Sequence, residues 1–104
     1  MNNLAYFLID KDRNINAGME LIEKALELSP DNFSYLHTKG WGLYKQVKYQ
    51  EALELIEKSW DSTPYKMDSM SIYFHLQEAK KAVASQKNSF LSPQKKSAAK
   101  YSRL

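Results

Sequence analysis

The pentapeptide Glu20-Leu21-Ile22-Glu23-Lys24 recurs as Glu54-Leu55-Ile56-Glu57-Lys58, an offset of 34 residues in a chain of 104. Five consecutive identities at one offset are improbable by chance in so short a sequence. Carrying the offset forward pairs Glu27 with Asp61, Ser29 with Thr63 and Pro30 with Pro64. A period of this length belongs to stacked supersecondary units, none of which can bury its apolar side alone.

Within each copy the spacing is helical. Leu21, Ile22, Ala25 and Leu28, then Leu55, Ile56 and Ser59, form the expected buried stripe, while Glu20 with Lys24 and Glu54 with Lys58 stand four apart on the wet face. Asn32 and Asp68 are expected N-caps, Pro30 and Pro64 stop the preceding helices, and Ile72, Leu76, Ala79 and Val83 trace one stripe on a last helix. The pattern predicts five helices, near 2–10, 15–28, 33–46, 49–61 and 69–87. Helix axes come within about 8 Å only where the side chains at the crossing are small, and Ala5, Gly18, Gly40 and Ala52 stand at equivalent crossing positions.

In the second copy the first helix supplies Leu36, Lys39-Gly40 and Leu43, and the second supplies Ala52, Ile56 and Pro64. The first copy answers with Leu4-Ala5 and Leu8, then Gly18, Ile22, Ala25 and Pro30. Ala5 to Gly40 spans 35 residues, so the turn around Asp10 to Asn16 is expected to hold one extra residue. A third start reads Tyr73, Leu76-Gln77 and Lys80, but Gln77 stands where a small residue belongs. Over roughly residues 1–89 the chain resembles the tetratricopeptide repeat (TPR) family, in particular the C-terminal repeats of a bacterial TPR protein. The resemblance implies an all-α, right-handed superhelix of about two and a half repeats: 1–30, 31–64 and a capping helix over 65–89. It assigns repeat packing to Ala5, Gly18, Ala25, Pro30, Gly40, Ala52, Ser59 and Pro64.

Composition narrows the chemistry. With no cysteine there is no thiolate catalysis, zinc ribbon or disulfide staple. The longest apolar run, Leu4 to Ile9, is far short of the roughly 18 to 20 residues that cross a bilayer, so no membrane role is expected and the cytoplasm is the default compartment. The two histidines, His37 and His75, lie outside any metalloprotease motif, and neither a phosphate loop nor a serine elbow is present. His75 and Glu78 stand three apart as the one metal candidate, and two ligands rarely suffice. No catalysis and no cofactor are expected.

In TPR arrays the first helices of the repeats line a concave groove. The resemblance therefore implies a partner-binding groove of Tyr6, Ile9, Asp10, His37, Trp41, Tyr44, Lys45, Phe74, Glu78 and Lys81, with Trp41 and Tyr44 as anchors. The expected activity is protein–protein interaction, as scaffold or assembly module, with a peptide or helix of a partner in this aromatic groove. Family members that grip acidic C-termini of chaperones use a basic clamp; the matching positions read Asn2, Tyr6, Thr38, Ser71 and His75, so no clamp is present. Two alternatives stand beside this. Residues 1–78 carry eight basic and twelve acidic residues and residues 79–104 seven basic and none acidic. The tail from 90 onward thus reads as a disordered basic segment, which would give sequence-blind nucleic-acid binding, although Phe90 and Tyr101 offer little base stacking. The N-terminal helix, apolar all round, is expected to meet a second copy or upstream repeats of a longer chain.

Overall fold

The computed structural model describes residues 2–64 and 69–91. They form α1 (Asn2–Asp10), α2 (Ile15–Leu28), α3 (Phe33–Lys45), α4 (Tyr49–Ser62) and α5 (Met70–Leu91), and no strand occurs among them. The protein is all-α. The helix over 69–87 expected from sequence runs on to Leu91, past the boundary placed at 89. The capping role of Asp68 and the basic tail from residue 92 lie outside the described residues. No helix among those described is long and apolar enough to cross a membrane.

The repeated pentapeptide is a repeated burial pattern. Ile22 and Ile56 are fully buried, Leu21 and Leu55 half-buried, and the flanking glutamates and lysines exposed. Ala25 and its counterpart Ser59 are buried as well, and the Ser59 hydroxyl donates to the Phe33 carbonyl at 2.6 Å, so its polar atom is satisfied inside the core. Helix ends obey the same offset: α2 closes on Ser29, α4 on Thr63. Pro30 and Pro64 stand exposed beyond those ends, so they stop helices and do not pack repeats together. Leu28 is corrected too: at 84% exposure it lies outside the buried stripe.

Turns within the two helix pairs also correspond. Asp12 and Val47, 35 residues apart, both take the left-handed conformation (φ 55° and 68°), and the following amides of Arg13 and Lys48 donate to the carbonyls of Leu8 and Leu43. The extra residue of the first turn is Asn14, whose side chain accepts the Ala17 amide and caps α2. Asn32 caps α3 by accepting the amides of Ser34 and Tyr35.

The small residues set the spacing. A Cβ on Gly18 would lie 2.7 Å from Ile9 Cγ1 and 2.9 Å from the Ala5 carbonyl oxygen; one on Gly40 would lie 2.6 Å from Ile56 Cγ1. Gly42, which the sequence reading passed over, faces Met19 Sδ and so lets α3 close on α2. Ala5, Ile9, Met19, Ile22, Ala25, Trp41, Ala52, Ile56, Ile72, Leu76 and Ala79 make one core running through all five helices. Lys58, expected to pair with Glu54 along its own helix, reaches Asp31 across elements instead (3.9 Å), and Lys39 of α3 reaches Glu23 of α2 (3.7 Å).

Two substitutions test this geometry by urea unfolding. Gly18→Ala gains helix propensity but drives a methyl into backbone, and should cost about 1–3 kcal/mol. Val47→Gly relieves a β-branched residue held at positive φ with its side chain exposed, and should gain about 1 kcal/mol. A neutral or stabilising Gly18→Ala, or a destabilising Val47→Gly, would contradict the packing and turn assignments.

Candidate functional site

The alternation of helices brings α1, α3 and α5 together on one side, since α1 packs on α3 and α3 on α5 as well as each on its sequence neighbour. Five rings from these three helices meet there in a column. Tyr44 stacks on Trp41 (centroids 4.5 Å apart, planes 9° apart) and Trp41 on His75 (3.6 Å, 3°). His75 in turn adjoins His37 (4.8 Å) and Tyr6 (6.3 Å). The column spans α1 to α5, so it ties the two ends of the helix array to α3.

Each ring is held by a polar contact or a neighbour. The Trp41 indole N–H donates to Asp10 Oδ1 at 3.1 Å, and the Lys45 ammonium donates to the Asp10 carbonyl and to Asp12 Oδ2, both at 3.3 Å, while lying 5.7 Å from the Trp41 ring centre. His37 Nε2 and His75 Nδ1 are 2.6 Å apart. With both imidazoles neutral, one nitrogen carries the proton and the other accepts it.

Beside the column lies an open cleft of about 250 Å³ lined by Asn2, Asn3, Tyr6, Ser34, His37, Thr38 and Ser71. None of these side chains is charged at neutral pH. Asn2 is used internally, its amide donating to Ser34 Oγ (3.1 Å) and its carbonyl accepting from Thr38 Oγ1 (2.9 Å). That network pins the first turn of α1 to α3, and Asn3, Tyr6 and Ser71 line the cleft beside it. Burial, followed by the Asp10 charge, raises the Tyr6 pKa, which keeps the phenol a neutral donor.

The structure unites Tyr6, His37, Trp41, Tyr44, Lys45 and Asp10 from the expected groove and departs from it at three points. Ile9 is fully buried against Gly18 and Gly42 and is core, not groove. Trp41 and His37 are 8% and 6% exposed, so their faces are covered by neighbouring rings and are not free anchors. Phe74 and Glu78 stand outside the column: Phe74 is exposed beside Tyr73, and Glu78 pairs with Lys81 at 3.4 Å. His75, weighed as a metal ligand with Glu78, turns to His37. No cluster of three or more metal-ligating side chains occurs among the described residues. Of the positions matched to a basic clamp, Asn2, Tyr6, Thr38 and Ser71 line this cleft and His75 does not. Ser34, by contrast, carried no sequence signal beyond its helical phase. No family model, curated protein or solved structure matches the chain.

Burial and, next, the charge of His75 lower the His37 pKa to about 4, against the opposing pull of Asp10. His75 is lowered as well, chiefly by burial. An unfolded histidine titrates near 6.5, so below that pH the unfolded chain binds more protons than the folded one. Stability contributed by the neutral pair is therefore complete above pH 6.5 and is lost as pH falls toward 4. Urea unfolding should show this loss between pH 7.5 and 5, above most carboxylate titration, and His37→Gln should reduce it. Stability that is flat over that range would contradict the buried neutral pair.

Proposed function

We propose that the chain is a short TPR-like array and that it acts as a protein interaction module, receiving an extended peptide segment of a partner in the cleft between α1, α3 and α5. The observation that carries the reading is the cleft itself, an open, uncharged, hydrogen-bonding surface built by the first helix of each unit, with the ring column as its wall. The repeat period and the equivalent caps and turns support the array. Main-chain amides of an extended peptide offer alternating donors and acceptors that match hydroxyl and amide side chains, and aromatic edges supply apolar contact.

An uncharged cleft makes two demands on affinity. It should vary little with salt, because screening acts on charges, and an acidic C-terminal peptide should gain nothing. A peptide selected by display on the full chain provides the test by calorimetry. Tyr6→Ala and Ser71→Ala should each weaken it about tenfold, the loss of one or two hydrogen bonds or ring contacts, with little change between low and high salt. Peptides that ignore both substitutions, or micromolar binding of an acidic C-terminal peptide, would contradict the proposal.

A further inference from the structure

His75 stands apart from the other rings of the column. Tyr6, His37, Trp41 and Tyr44 come from α1 and α3, whereas His75 enters from α5, lays one face on Trp41 and meets His37 edge-on through its Nδ1, with Tyr6 further out at 6.3 Å. Its contact with Trp41 is nearly parallel at 3.6 Å, so the space it fills has the shape of one flat ring. Its helix has other anchors: Ile72, Leu76 and Ala79 bury the adjoining stripe of α5 in the core shared with Ile56 and Ala52. His75 itself is only half-buried. The ring can therefore leave by side-chain rotation while α5 keeps its seat on α4.

We propose that His75 is a proton-operated plug, occupying from within a ring-sized site on the face of Trp41, edged by His37, that, once vacated, takes an aromatic side chain of the peptide partner. This rests on the cleft being the partner site, because the ring-sized site opens beside it through their shared residues His37 and Tyr6. The neutral pair keeps one proton between His37 Nε2 and His75 Nδ1, and protonation of one ring leaves that hydrogen bond in place. Protonation of both rings makes both nitrogens donors facing each other at 2.6 Å, which abolishes the hydrogen bond and sets two like charges together. Of the two rings, His75 is the one with a route to water.

The groups around the pair decide where this happens. Asp10 of α1 and Glu78 of α5 favour the protonated forms; Lys45 of α3 and burial oppose them. Tyr6 of α1 and Tyr44 of α3 are neutral there, and Tyr49 of α4 meets Tyr44 one ring further out. Burial dominates for both histidines, which places the opening on the acid side of the ordinary histidine range.

Nuclear magnetic resonance of the His75 ring protons tests the plug without any peptide, so its failure is separable from failure of the cleft reading. At pH 7.5 these protons should be shifted upfield by the Trp41 ring. On acidification they should move to the positions of a free imidazolium while the backbone amides of α5 stay helical. Upfield shifts that persist at pH 4, or a loss of α5 helicity in step with them, would overturn the proposal. A second measurement uses His75→Ala at pH 7.5 with imidazole as the probe. A saturable shift of the Trp41 indole N–H, absent in the wild type, is expected. A folded variant that gives no shift would show that no such site exists, and the wild-type titration decides alone if the variant does not fold.

Discussion

Close approach of paired helices at residues without side-chain bulk is the constraint on which the rest of this structure depends. Ala5 with Gly18, and Gly40 with Ala52, leave room for Ile9 and Ile56 to lie directly over backbone. With both pairs closed in this way, α1 and α3 lie side by side and α5 packs on α4 and meets α3. Only then do rings far apart in sequence, Tyr6 of α1, His37, Trp41 and Tyr44 of α3 and His75 of α5, meet in one column. Gly42 adds the corresponding allowance between pairs, where Met19 would otherwise be displaced.

The polar atoms of the interior follow from that approach. Ser59 replaces Ala25 in the second unit at no unsatisfied cost, because the helix crossing puts the Phe33 carbonyl within reach. Asn2, Ser34 and Thr38 form a closed network at the mouth of the cleft. Trp41 gives its only polar hydrogen to Asp10. By contrast, the ion pairs join exposed or half-exposed groups and contribute little each.

Much of the fold could be read in the chain because period and burial coincide. The pentapeptide, the cap at Asn32 and the stripe of Ile72, Leu76, Ala79 and Val83 are local patterns, and four of the five helices end within one residue of expectation. Leu28 misled because it continues the apolar phase at a helix end, where there is no further element to cover it. The site was legible by position and not by contact. The family resemblance implies Tyr6, His37, Trp41 and Tyr44 as groove positions, but it says nothing of the His75 ring arriving among them from α5. His75 was visible as a clamp position and as a metal candidate; its stacking on Trp41 depends on the angle between α3 and α5, which no local pattern encodes.

The account stands on the first helices sharing one face, with the column as the consequence. Nuclear Overhauser contacts at neutral pH measure this directly on the full chain. Cross-peaks from the His75 ring to the side chains of both Trp41 and Tyr6 are predicted, since those three rings belong to α5, α3 and α1. If His75 shows contacts only within α5, while the Ile56 to Gly40 contact is present, the helix pairs form but the shared face does not, and the proposed site fails with it.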